Sequence, residues 1–184
     1  GSINYEEFGR MLDFQVDNGA DAVVICGTTG ESATMTDDEH REVLRYGIER
    51  INHRIPVIAG TGSNDTAYAI ELSKDAEKLG ADALLLVTPY YNKASQRGLV
   101  KHFTAIADSV NIPIVLYNVP SRTGVNISID AYRELAKHPN IVATKEASGN
   151  MDLMMQIATY TDLDIYSGND DETLCALALG AKGV

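Results

Sequence analysis

The sequence predicts an α/β fold built on a parallel sheet, and three observations carry that expectation. Short Val/Ile/Leu-rich runs alternate with amphipathic stretches at a spacing of roughly 20–35 residues, the range of a βαβ unit. The apolar runs are nearly continuous, as in strands covered by helices, rather than alternating as in half-exposed hairpins. Polar and aromatic residues collect after the carboxyl ends of the apolar runs and not before them, and parallel α/β sheets place ligands at those ends. Two closures fit this pattern, a (β/α)₈ barrel and a doubly wound open sheet. No G-x-G-x-x-G fingerprint follows a strand; Gly60-Thr61-Gly62 comes nearest and lacks the third glycine, which disfavours the open sheet.

The elements follow in order. Tyr5, Phe8, Leu12 and Val16 stand at helical spacing, so a helix is expected over 4–18, stopped by Gly19. Residues 21–27 read as a strand. Thr36-Asp37-Asp38-Glu39 is a capping box opening a helix over 37–53. The second strand covers 56–62, and Asn64 or Asp65 caps a helix to about Leu79. The third strand covers 83–89, and Ser95 starts a helix to about Val110. The fourth covers 112–118, and Ser128 caps a short helix ending near His138. Ile141, Ala143 and Lys145 share one face of the fifth strand by period-two alternation. Asn150 caps the next helix, 164–168 is the sixth strand, and a helix follows from about Asp170 to Leu179. Gly180 to Val184 reads as the turn into a further strand.

Composition narrows the function. The 184 residues, 45% apolar and 22% charged, suit one globular domain with a sizeable core. A net charge of −11 disfavours nucleic-acid and anionic-membrane partners. No apolar run is long enough to span a bilayer, and no secretory signal is visible at the first residues. Cys26 and Cys175 form neither a metal pattern nor a disulfide framework; both lie in apolar segments and read as buried thiols in a reducing cytoplasm. No metal or other cofactor is expected.

Lys145 is the centre of the chemical reading. Desolvation at the end of an apolar strand disfavours the ammonium, and a neutral lysine amine can attack a ketone to form a Schiff base. The bland alternative is a lysine that reaches water from a strand end. The chemistry also needs proton carriers, which Tyr117 on the preceding strand could supply. A carboxylate anchor is available in Gly27-Thr28-Thr29-Gly30, a turn of the kind that binds anions. Arg122 suits a second carboxylate. Tyr90 and Tyr91 fit packing or an interface as well as chemistry. Glu146, on the face opposite Lys145, reads as a structural contact, and His40, His53, His102 and His138 read as surface or capping residues.

Four stretches occur in order at βα spacing: Gly27-Thr28-Thr29-Gly30-Glu31-Ser32, Thr88-Pro89-Tyr90-Tyr91-Asn92, Tyr117-Asn118-Val119-Pro120-Ser121-Arg122-Thr123-Gly124 and Lys145-Glu146-Ala147-Ser148-Gly149. Through them the chain resembles the dihydrodipicolinate synthase / N-acetylneuraminate lyase family over essentially all of its length. The resemblance implies a class I aldolase on a (β/α)₈ TIM barrel, a homo-oligomer (dimer or tetramer) built from tight dimers. It implies that Lys145 forms the Schiff base with pyruvate. Tyr117, Thr28 and Tyr91 form a proton relay, Tyr91 reaching across the dimer interface. Thr29 holds the pyruvate carboxylate, Arg122 that of L-aspartate 4-semialdehyde, and Gly168 lines the pocket through its backbone. The implied reaction makes 4-hydroxy-tetrahydrodipicolinate in lysine biosynthesis; a sugar-acid aldolase or an inactive assembly fragment are the alternatives. Family members begin with a strand before Gly1 and end in a further strand and C-terminal helices. Residues 1–184 are therefore expected to be a single barrel domain truncated at both ends. Some members carry a lysine feedback site. Ser32, Ala33, His40, Asn64 and Tyr90 fit it, whereas Asp37 and Tyr68 stand where lysine-sensitive members carry a histidine and a glutamate, so lysine inhibition is expected to be weak or absent.

Overall fold

A computed structural model describes residues 2–184. Its six strands are all parallel and hydrogen-bonded in the order of the sequence, β1-β2-β3-β4-β5-β6. The strands are β1 Val23–Ile25, β2 Val57–Gly60, β3 Ala83–Val87, β4 Ile114–Asn118, β5 Ile141–Glu146 and β6 Asp164–Ser167. The helices are α1 Tyr5–Asp17, α2 Asp37–Ile51, α3 Thr66–Leu79, α4 Gln96–Ala107, α5 Pro120–Thr123, α6 Ile129–Leu135, α7 Met151–Tyr160 and α8 Thr173–Ala178.

Two apolar clusters show how the sheet is covered. The large one joins Leu84, Leu86, Ile114, Leu116 and Ile165 of the strands to helix residues such as Leu44, Phe103, Tyr132 and Ile157. The small one, on the other face, holds Leu85, Val115, Tyr117, Val119, Ala143 and Ala147 and no helix residue. Helices on one face, with strands in sequential order, make a singly wound sheet; a doubly wound sheet reverses its order and is covered on both sides. This is an arc of a (β/α) barrel, which closes with eight strands. After α8, the Lys182 N–H donates to Ile165 O (2.8 Å) and Gly183 bridges Tyr166 in parallel, the onset of a seventh strand beside β6.

The helix starts lie where the caps placed them. Thr36 and Glu39 form the reciprocal capping box of α2, and Asp65, not Asn64, caps α3 by accepting from the N–H groups of Ala67 and Tyr68. Ser95, Ser128 and Asn150 cap α4, α6 and α7, each such cap being worth about 1 kcal/mol.

Several expectations need correction. Pairing shifts register between Ile114 and Val115, so that Ile141 opposes Ile114 while Ala143 opposes Val115. The extra residue, Val142, lets Ile141 pack in the helix-side core although Ala143 faces the other way, because one added residue flips the side-chain alternation. The expected 170–179 helix is a 3₁₀ turn, Asp170–Glu172, followed by α8. Cys175 is exposed; only Cys26 is buried. His40 and His102 are buried rather than superficial: the His40 Nε2–H donates to Gly60 O (2.9 Å), and His102 Nδ1 is hydrogen-bonded to Thr66 Oγ1 (2.8 Å). Among the described residues no helix is long and apolar enough to cross a membrane, and no group of three or more His, Cys, Asp or Glu could hold a metal ion.

Candidate active site

The last three residues of β5 alternate across the sheet. Thr144 and Glu146 point to the helix side, where both are hydrogen-bonded to the buried Tyr132 hydroxyl, at 3.0 and 2.9 Å. Lys145 between them therefore points to the helix-free face. It is paired in register with Tyr117 of β4 and Tyr166 of β6. Its Nζ stands 5.0 Å from the centre of the Tyr117 ring, which is itself buried in the small cluster. Burial lowers the Lys145 amine below the ordinary lysine value of 10.5, an effect that the Asp170 carboxylate partly opposes.

Gly168, the residue after β6, backs this lysine. Its N–H donates to Glu146 O (2.8 Å). A Cβ there would lie 2.6 Å from Ala147 Cβ and 3.2 Å from Lys145 Cε, so only glycine leaves the lysine stem its space. A similar close approach holds at Gly62, where a Cβ would lie 2.4 Å from Val87 N. A small cavity of about 40 Å³ opens between these strands, lined by Thr28, Ser32, Gly60, Gly62, Val87 and Tyr117 among others.

The loop after β1 is a pair of successive turns, Gly30 N–H to Gly27 O (3.1 Å) and Glu31 N–H to Thr28 O (3.0 Å). Glu31 takes a left-handed φ of 54° and leads into a 3₁₀ turn, Ser32–Thr34. Thr28 and Thr29 lie exposed on it, Thr28 reaching the cavity that Tyr117 also lines.

Lys145, Tyr117 and Gly168 thus stand together, with Thr28 joined to Tyr117 through the cavity. Arg122 is exposed on α5, a four-residue turn of helix that starts at Pro120 and ends at the left-handed Gly124. Tyr91 is 90% exposed and left-handed, with φ 73°. Its loop is tied to Asn64: the Asn64 Nδ2 donates to Tyr90 O (3.1 Å), and the Asn92 Nδ2 donates to Asn64 O (3.3 Å). Tyr91 is thus placed by its loop and makes little contact with its own chain through the phenol.

Glu146 makes the structural contact expected of it, but its pairing with Asn118 escapes sequence reading. Asn118, at the end of β4, and Glu146, at the end of β5, are both buried on the helix side, and the Asn118 Nδ2 donates to both Glu146 oxygens at 3.0 Å. A signal exists: each is a polar residue directly after an inward aromatic or lysine on neighbouring apolar strands, and polar groups buried there must pair.

A parallel barrel arc that presents a desolvated lysine beside a tyrosine at the carboxyl ends of its strands defines the class: a (β/α) barrel protein with an amine-centred site. Comparison with known proteins narrows it. A profile described as the Dihydrodipicolinate synthetase family matches residues 1–184, and the chain belongs to that family. It is 55% identical over 184 residues to the 4-hydroxy-tetrahydrodipicolinate synthase of Caldicellulosiruptor saccharolyticus, covering 100% of this chain and 62% of that protein. It is 54% identical over 182 residues to the synthase of Acetivibrio thermocellus, again over 62% of the relative's length. Among solved structures, dihydrodipicolinate synthase from Aquifex aeolicus superposes with a TM-score of 0.98 at 49% identity, over 100% of this chain and 64% of that one. The chloride-inhibited enzyme from Acinetobacter baumannii, complexed with pyruvate, superposes with a TM-score of 0.96 at 44% identity, also over 64% of its chain. The chain therefore spans a little under two thirds of these relatives.

Proposed function

We propose that this chain carries the Schiff-base centre of a lysine-dependent aldolase that condenses pyruvate with L-aspartate 4-semialdehyde to 4-hydroxy-tetrahydrodipicolinate. The observation that carries the proposal is the half-buried Lys145 amine, lowered by desolvation and set over the Tyr117 ring. The names of the relatives and the pyruvate in one neighbouring structure support the choice of substrates.

The neutral Lys145 amine attacks C2 of pyruvate, and the carbinolamine loses water to give an iminium. The positive nitrogen withdraws electrons, so a C3 proton leaves and an enamine forms. Its C3 attacks the aldehyde carbon of the second substrate, whose oxygen takes a proton. The amino group of that substrate then attacks C2, closes the ring and releases Lys145. Each of these steps moves a proton, the role we give to Tyr117, Thr28 and Tyr91. Thr29 holds the pyruvate carboxylate and Arg122 the carboxylate of the semialdehyde. Gly168 keeps the wall beside Lys145 bare. The exposed Tyr91, on a loop tied to Asn64 through its neighbours, supports a site completed by a second copy, hence a homo-oligomer. Residues 1–184 are read as belonging to one barrel domain, and the cytoplasm as its compartment.

Borohydride reduction in the presence of pyruvate, followed by peptide mass spectrometry, tests the proposal. A pyruvyl adduct on Lys145 alone is expected. Folded chain that takes up no pyruvate at Lys145 would sink it. Turnover of aspartate semialdehyde, compared with N-acetylmannosamine, then separates a synthase from a sugar-acid aldolase.

A further inference from the structure

Asn118 is fully buried at the end of β4, and its carboxamide is saturated by two different parts of the site. On one side the Nδ2 donates to both oxygens of Glu146, each at 3.0 Å; the backbone carbonyl of Asn118, independent of the side chain, accepts from the Ala147 N–H at 2.9 Å. Those bonds hold the residues that flank Lys145. On the other side the Nδ2 donates to Asn126 Oδ1 at 2.7 Å, and the Oδ1 accepts from the Ile127 N–H at 3.2 Å. Those bonds hold the segment that follows Arg122. Gln96 of α4 grips the same segment from outside: its Nε2 donates to Asn126 O and its Oε1 accepts from the Ser128 N–H, both at 2.8 Å.

The chemistry of the position admits few alternatives. It must donate to a buried carboxylate and accept from a backbone N–H at once, which a primary amide does. Aspartate would set a second anion against Glu146. Alanine would leave the Glu146 carboxylate with only Tyr132 and Ser148 as donors, and buried groups left short of partners are costly.

We propose that Asn118 is a positioning residue that fixes the Arg122 segment relative to the Lys145 strand, and so governs use of the second, carboxylate-bearing substrate more than capture of pyruvate. The inference rests on the reaction assigned above. The asymmetry follows from redundancy. Lys145 is also held by strand pairing on both sides, and the Glu146 carbonyl after it accepts from the Gly168 N–H. The Arg122 segment, beyond its own turn and Thr123 bonds and the buried Val125 and Ile127, is tied by side-chain hydrogen bonds only through the two amide clamps.

The test uses Asn118→Asp, Asn118→Ala and Asn126→Ala. The last removes one acceptor on a solvent-exposed residue, leaves Glu146 its donors and keeps the question decidable should the Asn118 variants misfold. Two readings are taken: the extent of borohydride-trapped pyruvate on Lys145, and KM and kcat for aspartate semialdehyde at saturating pyruvate. The expected result is trapping within about twofold of the parent and a KM for the semialdehyde raised roughly tenfold or more, the scale on which small misplacements act. Asn126→Ala is expected to move KM in the same direction by less. An unchanged KM in Asn126→Ala and in every folded Asn118 variant overturns the proposal. So does an equal loss in trapping and in semialdehyde turnover, which a purely structural role would give. Failure of the parent chain to trap pyruvate overturns the assigned reaction, and this inference with it, before any variant is read.

Discussion

The Lys145 amine lies 5.0 Å from the centre of the Tyr117 ring, and the two residues are direct register partners on β5 and β4. Two effects oppose each other there. The electron-rich ring face favours the ammonium by about 0.5–2 kcal/mol. Burial disfavours it, and burial wins, since the amine is held below 10.5. The ring and the strands that bring Lys145 to it are therefore one device: packing dries the amine and the phenol stands beside it.

The first prediction follows from that direction. The rate of pyruvate trapping on Lys145 should rise with pH to a midpoint below 10.5, while trapping on surface lysines still lags. The folded chain binds this proton less tightly than the unfolded one, so stability should rise with pH across the window between the lowered value and 10.5. Lys145→Met should abolish the adduct and flatten that part of the stability profile. Chemical denaturation at several pH values measures it; a profile unchanged by the substitution would show that the amine is not desolvated.

Tyr117→Phe separates the phenol from the ring. Among the described residues no hydrogen bond of the Tyr117 hydroxyl to protein is present, so the fold should lose less than about 1 kcal/mol. If the hydroxyl carries protons, adduct formation should slow by roughly 10²–10⁴-fold. Stopped-flow trapping with a parallel thermal melt reads both, and a wild-type rate in the variant would remove Tyr117 from the chemistry.

Gly168→Ala tests the bare wall. The new methyl would meet Ala147 Cβ at 2.6 Å and Lys145 Cε at 3.2 Å. Overpacking of this kind costs about 1–3 kcal/mol. The melt should fall accordingly, and adduct yield should fall further than stability alone explains, because the lysine stem is what moves. Equal yield at saturating pyruvate would mean that the wall has slack.

Much of this architecture is legible in the sequence, for physical reasons that differ by element. Helix starts are written by side chains that bond their own first turn, so Thr36, Ser95, Ser128 and Asn150 mark them without tertiary context. The strands are legible as apolar runs because both faces are lined by apolar clusters. Three of the misreadings share one cause, which is partners distant in the chain. The face of Ile141 depends on a register shift against β4, the burial of His40 on the Gly60 carbonyl, and that of His102 on Thr66. The Asn118–Glu146 pair joins strands 28 residues apart, so the chain's own order does not announce it. In the candidate site the chemistry-bearing residues stand out by type and position, whereas their supports are ordinary amides, carboxylates and hydroxyls whose meaning lies in contact.

Lysine should inhibit weakly. Tyr68 and Asp37, which the family resemblance sets apart from lysine-sensitive members, are bonded to each other, the Tyr68 hydroxyl donating to Asp37 Oδ1 at 2.6 Å. Burial, with Asp37 adding to it, pushes the Tyr68 phenol up to about 12, so it remains a donor committed to that carboxylate. The His40 ring is turned to Gly60 O. A lysine titration of pyruvate–semialdehyde turnover should stay nearly flat at modest concentration. Steep inhibition there would mean that the pair opens to admit the ligand.

Tyr91 gives the sharpest test of a shared site. The side chain is 90% exposed and its backbone holds a left-handed φ of 73°, so within its own chain it packs on almost nothing. Tyr91→Ala should change chain stability by no more than about 0.5 kcal/mol, as surface substitutions do. If the phenol serves a neighbour's lysine, turnover should nevertheless collapse. Mixing Tyr91→Ala with Lys145→Ala then decides the geometry. Each protein alone lacks one essential group at every site. In a mixed dimer, the site on the Tyr91→Ala protomer keeps its own Lys145 and receives Tyr91 from the partner, so activity should return after the two are exchanged into one assembly. No recovery in a mixture shown by mass spectrometry to contain hetero-oligomers would mean that Tyr91 serves the lysine of its own chain, and full turnover in Tyr91→Ala alone would leave it without a part in the reaction.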